Sequence, residues 1–137
     1  MRILAIDYGT KRTGIAVTDP LQLTAQPLAT IDTEQCISWL QEYTRQEQVE
    51  KIVVGMPRQT NGEQSESVKY IKPFVEKLQK AITDIPICYF DERFTSVLAH
   101  QAMIDSGIKK KTRQNKALVD KIAACIILED YLTAVKN

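Results

Sequence analysis

Three acids in this chain stand where apolar runs end or begin: Asp7, Glu92 and Asp120. Asp7 closes the run RILAID, and open α/β sheets collect their ligands at the carboxyl ends of strands. Turn formation, with the carboxylate binding backbone amides, is the other use of an aspartate before Xaa-Gly. Asp91-Glu92-Arg93 follows a second apolar run, IPICYF. Successive side chains point to opposite sides of a strand, so one of the two acids faces Asp7. Glu92 is favoured, because Asp91 lies nearer the strand. Asp120 precedes Ala123, Ala124, Ile127 and Tyr131, at intervals of three, four, seven and eleven. It therefore falls on the buried side of a helix, where an ionised carboxylate needs a cation or a hydrogen-bonding partner. A capping role or a paired base would also satisfy it. Three carboxylates converging on one place suit a hard divalent cation, Mg²⁺ or Mn²⁺. The chemistry such a site serves is in-line hydrolysis of a phosphodiester. The ion lowers the pKa of the attacking water and neutralises the leaving oxygen.

Cations stand where a polyphosphate would need them. Lys11 and Arg12 follow Asp7 in the turn, Arg93 follows Glu92, and the Thr95 hydroxyl, a helix cap, can also meet a phosphate. Lys109, Lys110, Lys111, Arg113 and Lys116 put five cations and no acid into eight residues, and the remaining chain holds 13 bases against 17 acids. The net charge of +1 conceals this concentration, which is what a phosphate-facing segment requires. Residues 107–116 are expected to be disordered without RNA. Cys36, Cys88 and Cys125 lie far apart in apolar runs and read as small buried hydrophobes, with no zinc-site spacing. His100, the single histidine, falls on the polar side of its helix. Tyr8 reads as packing beside the turn.

These residues need a scaffold, and 137 residues with 44% hydrophobic and 26% charged content fit one globular domain, residues 1–137. RILAI is apolar on both faces, the pattern of a central strand. Residues 13–19 return as an antiparallel partner. Residues 23–31 form a third strand, with a bulge or break at Pro27. A helix starts at Asp32, which is expected to cap it with Gln35 in a capping box. Cys36, Ile37, Leu40 and Tyr43 form its stripe. KIVVG is a buried strand before Gly55-Met56-Pro57. A second helix carries Val68, Ile71, Val75 and Leu78, and Pro73 should kink or divide it. After the fifth strand, a helix capped by Thr95 or Ser96 ends at Gly107, and a last apolar helix reaches about Leu132. The order β-β-β-α-β-α-β-α-α predicts an α/β fold: a five-stranded mixed sheet flanked by helices, the later strands parallel to the first. The N-terminus has no signal-peptide pattern and no apolar run reaches membrane-spanning length, so a cytoplasmic protein without membrane partners is expected.

DYGTKRTGIAVTD, VVGMPRQTNG, DERFTS and VDKIAACIILEDYL, in that order, resemble the YqgF family. Its members are described as pre-16S rRNA nucleases or Holliday-junction-resolvase-like proteins. The resemblance covers nearly the whole chain. It implies an RNase H-like fold, a bacterial cytoplasmic protein and a role in trimming the 5′ end of the 16S rRNA precursor. Asp7, Glu92 and Asp120 match the positions expected to be acidic. Gly9, Lys11, Arg12 and Gly14 match the first-strand motif, and Thr95 matches the hydroxyl after DER. RuvC-type resolvases carry a further acid at the end of the fourth strand and a second acid in the last helix, three residues after the first. Here those places hold Gly55-Met56-Pro57 and Ala123, which leaves open whether one or two ions bind.

Rival readings remain at the level of sequence. A Holliday junction resolvase would use the same chemistry on branched DNA, and needs a dimer that no segment announces. An actin-like nucleotide-binding protein shares the DYGT opening but needs two such halves, which 137 residues do not supply. A non-catalytic RNA-binding module would use the cations alone.

Overall fold

The computed structural model describes residues 1–57, 68–92 and 116–136. Five strands form one sheet in the order β3-β2-β1-β4-β5. They are β1 (Arg2–Asp7), β2 (Arg12–Thr18), β3 (Ala25–Asp32), β4 (Val49–Pro57) and β5 (Ile87–Glu92). The helices are α1 (Thr33–Gln46), α2 (Val68–Ala81) and α3 (Lys116–Lys136). β1 is central: it pairs antiparallel with β2 and parallel with β4, and β4 pairs parallel with β5. The short β1–β2 and β2–β3 links permit only antiparallel pairing, whereas β4 and β5 each follow a helix that carries the chain back. The helix expected between β5 and α3, and the segment 107–116, lie outside the described residues.

Each face of the sheet has its own core. On one face Leu4, Ile6, Ile15, Ile52, Val54 and Met56 pack against Cys36 and Leu40 of α1 and Ile71, Val75 and Leu78 of α2. On the other, Ile3, Ala5, Ala16 and Val53 meet Ala124, Ile127, Leu128 and Tyr131 of α3. The alternation along β1 divides these sets, since residues of one parity share a face. Asp7 has the parity of Ile3 and Ala5, and so belongs to the α3 face. The small residues on that face let α3 lie close. Its far end is held by Tyr131, which takes a 2.8 Å hydrogen bond from Lys51 Nζ and meets Phe90 edge-on at 5.9 Å.

Two local expectations are corrected. The Asp32 side chain makes no capping bond, and Thr33 is anchored instead, its N–H donating to the Lys11 carbonyl at 3.0 Å. Tertiary contact with the β1–β2 turn supplies what the capping box would have supplied locally. Pro73 does not divide α2, which runs unbroken from Val68 to Ala81. The ring removes a single backbone bond, the one to the Lys69 carbonyl, and the packed face of Ile71, Phe74 and Val75 holds the helix together. Pro27 behaves as expected of an edge strand. The β2–β3 register shifts beside it, with Ile15 facing Ala29 and Ala16 facing Pro27. Cys36 and Cys125 are buried, Cys88 is half-buried, and all three are free thiols.

Candidate active site

The β1–β2 turn is built to be rigid. A Cβ on Gly9 would sit under 3.0 Å from the Arg12 carbonyl oxygen, so only glycine lets the chain fold back that tightly. Thr33 Oγ1 donates to the Gly9 carbonyl at 2.5 Å and lies 2.9 Å from Thr13 Oγ1. The start of α1 thus holds the turn at both Gly9 and Lys11, on the side of the sheet away from α3. Tyr8 packs on Phe74 of α2, ring centroids 4.9 Å apart, which matches the expectation that it packs beside the turn.

The α3 face holds the acids. Asp7 lies directly across from Gly14 in the β1–β2 ladder. A Cβ on Gly14 would fall under 3.0 Å from the backbone carbonyl of Asp120. The main chain of α3 therefore crosses β2 in the space a side chain would fill, at the position paired with Asp7. Cross-strand neighbours have Cα atoms about 5 Å apart, so one glycine separates the two carboxylate-bearing positions. Arg12 has the parity of Gly14 and reaches the same place, with Nε 3.2 Å from Asp120 Oδ2. The pair is partly open to solvent, the Arg12 and Asp120 side chains being 36% and 27% exposed. Asp120 thus has the partner its position demands, a guanidinium.

The other expected site residues are placed as follows. Glu92 ends β5, opposite Pro57 of β4, while Asp91 stands opposite Met56. By alternation Glu92 occupies a position of the same parity as Cys88 and Phe90, the residues packed with α3, and Asp91 one of the opposite parity. Lys11 is exposed in the turn, and Lys116 begins α3. Arg93, Thr95, His100, Lys109, Lys110, Lys111 and Arg113 lie outside the described residues, as do the side chains of Glu92 and Lys116. Among the described residues no three His, Cys, Asp or Glu side chains form a metal-binding group. The donor set that is described, two carboxylates on one face with no sulfur or imidazole beside them, fits a hard oxygen-seeking cation rather than zinc.

The sequence allowed Asp120 a paired base without naming one; that base is Arg12, 108 residues away, and no local pattern signals it. Thr33 as the latch of the turn could have been suspected, because a hydroxyl residue follows Asp32 at the helix start.

A mixed five-stranded sheet in this order, with acids at the carboxyl end of β1 and on the covering helix, is an RNase H-like domain. It matches Thermus thermophilus RuvC, solved in complex with a Holliday junction substrate, with a TM-score of 0.60 at 16% identity, covering 100% of this chain and 96% of that one. A second Thermus thermophilus RuvC structure matches with a TM-score of 0.53. Residues 1–134 match the family described as "RuvX: Holliday junction resolvase". A Phocaeicola vulgatus protein named "Putative pre-16S rRNA nuclease" is 58% identical over 135 residues, 98% of this chain and 97% of its own length. A Flavobacterium psychrophilum protein of the same name is 57% identical over 132 residues, 96% of each chain. The chain belongs to the RuvX, or YqgF, family.

Proposed function

We propose that this chain is a single-domain, divalent-metal-dependent endonuclease that hydrolyses phosphodiester bonds in structured RNA, and that its substrate is the 5′ end of precursor 16S rRNA. The observation that supports the reading is that Gly14, the ladder partner of Asp7, leaves open the space that the Asp120 main chain enters, with Arg12 paired to Asp120. The substrate follows from the relatives that share most of this chain's length and bear a pre-16S rRNA nuclease name.

Asp7, Glu92 and Asp120 would hold the ion. Continuing the β1–β4 register sets Asp7 level with Gly55, and Gly55 pairs with Phe90, so Glu92 stands two strands over and two residues on. Strand spacings of about 4.8 Å and rises of about 3.3 Å place the two Cα atoms about 12 Å apart. An aspartate from one side and the longer glutamate from the other would hold the ion, as hard oxygen donors. A bound Mg²⁺ or Mn²⁺ supplies a lowered pKa for the attacking water and neutralises the leaving oxygen. The protein's own part is orientation and charge. Asp7 and Asp120 are fixed by the ladder and by α3, and Arg12, released from Asp120, turns to a phosphate oxygen. Lys11, Arg93, Thr95, Lys109, Lys110, Lys111, Arg113 and Lys116 bind the RNA backbone. The protein works in the cytoplasm, and none of its described helices is long and apolar enough to cross a membrane.

The test is cleavage of precursor 16S rRNA with Mg²⁺ or Mn²⁺, free and in ribosomal particles, by wild type, Asp7→Asn and Asp120→Asn. Cleavage by wild type alone supports the reading, and inert wild type on every structured RNA refutes it. The RuvX family description favours one second reading, branched DNA as substrate. A four-way junction in the same assay decides between them.

A further inference from the structure

On the side of the sheet away from the acids, the β1–β2 turn forms one wall of a cleft of about 430 Å³. Tyr8 and Phe74 lie in its lining, together with Tyr70, Lys69, Lys77 and Thr10. Three features set this cleft apart. Its aromatic content is high, and Tyr70 leaves 49% of its surface in solvent, an exposure that a packing residue on an amphipathic helix would not need. Its cations are ordered along one helix face: Lys69 and Lys77 are two turns apart on α2, and Lys69 Nζ stands 5.3 Å from the centre of the Tyr70 ring. Finally, Tyr8 is the residue after Asp7, so the cleft adjoins Asp7 along the chain, from the opposite side of the sheet. The larger cleft beside Trp39, about 550 Å³, is lined by Thr30, Asp32, Gln35 and Ser38 and has no cation among its described lining residues.

Resting on the RNA nuclease reading above, we propose that this cleft binds an unpaired nucleotide of the RNA strand flanking the cut. The base stacks on Tyr70, and the adjoining phosphates lie against Lys69 and Lys77. Exposed aromatics beside cations are how single strands are held without regard to sequence, because every base has a π-face. The volume lies in the range of small-molecule sites. Glu34, also at this cleft, is the one carboxylate there among the described residues and can accept a hydrogen bond from a ribose hydroxyl or an exocyclic amine. The turn at Gly9 then acts as a ridge. The strand crosses it from the cleft on one face of the sheet to the carboxylates on the other. The enzyme would therefore select a junction between paired and unpaired RNA.

The test uses the full chain in EDTA, so that cleavage does not enter. Fluorescence anisotropy gives Kd for a labelled RNA hairpin with an unpaired tail of about six nucleotides, within the range one such site covers, and for the same hairpin without it. The readout is the ratio of the two affinities. Wild type should favour the tailed RNA, and Tyr70→Ala should reduce that preference about tenfold, the effect of losing one stacked base. Tyr70→Phe should restore it. The double variant Lys69→Ala, Lys77→Ala should flatten the salt dependence for the tailed RNA by a slope of about 1.4. An unchanged ratio in Tyr70→Ala, or a wild type indifferent to the tail, overturns the proposal. A tail preference lost in Tyr70→Ala supports it even when wild type cleaves nothing, the result that would sink the nuclease reading alone.

Discussion

Replacing Gly14 by alanine adds one methyl group at the point where α3 crosses β2. The Cβ would meet the Asp120 carbonyl oxygen and carbon and, at 3.0 Å, the Lys121 nitrogen. All three are backbone atoms of a helix anchored at its other end by Tyr131, so no side chain can swing aside. Reaching ordinary van der Waals separation requires the helix to move by about 1 Å. Overpacking of this kind costs about 1–3 kcal/mol, and the upper end applies because the obstacle is main chain. Alanine returns about 0.5–1 kcal/mol by restricting the unfolded chain. The net loss of about 2 kcal/mol lowers Tm by about 6 °C for a chain of this length. The larger effect is on activity, because a displacement of about 1 Å at a reacting centre costs about 10²-fold. Ala123→Gly is the control. It is buried on the same helix, and losing its methyl and helix propensity costs about 2 kcal/mol, but it inserts nothing between helix and strand. Both variants are melted by circular dichroism and assayed for cleavage well below either Tm. Gly14→Ala should lose far more activity than Ala123→Gly at equal folded fraction. Equal losses would show that the crossing at Gly14 does not position Asp120.

Asp7→Asn and Asp120→Asn should each lower metal-dependent cleavage by about 10²–10⁴-fold, the kinetic weight of several kcal/mol of charge stabilisation, with the far-ultraviolet spectrum retained. Arg12→Ala removes a half-exposed ion pair, so its Tm should change by less than about 1 kcal/mol warrants, while the salt dependence of RNA affinity flattens by a slope of about 0.9 for a duplex substrate. Thr33→Val should destabilise by about 1–2 kcal/mol through loss of its bonds to Gly9 and Thr13, measured by urea unfolding, and Thr33→Ser should recover most of it. Burial pushes the Cys36 and Cys125 thiols up to about 12 from an ordinary 9.0. The folded chain keeps protons there that the unfolded chain has lost, so this contribution to stability is full below pH 9 and falls as pH rises toward 12. Urea midpoints should drop across that range, and both thiols should resist a disulfide reagent at pH 8.

The chain's own order of residues determined the sheet. Apolar runs of strand length, turns too short for anything but hairpins, and a helix before each of β4 and β5 leave few ways to connect five strands, and the described residues follow the expected one. The sequence also marked Asp7 and Glu92 as strand-end acids and set Asp120 on the inner side of a helix, because side-chain periodicity is a local property. Tertiary structure decided everything that depends on where the helices come to rest. Nothing near Arg12 announces that its partner is Asp120, and nothing near Gly14 announces that its missing side chain is a passage for α3. Asp32 was the local choice for a helix cap, yet Thr33 holds the turn, because the turn and the helix start are brought together only by the folded sheet. Pro73 reads as a kink or a division, and division does not occur, because the packing of one helix face outweighs a single lost hydrogen bond. Local pattern reports which way a residue points, whereas the position of one element on another is set by the summed fit of many side chains, and that sum has no signature in any short stretch of sequence.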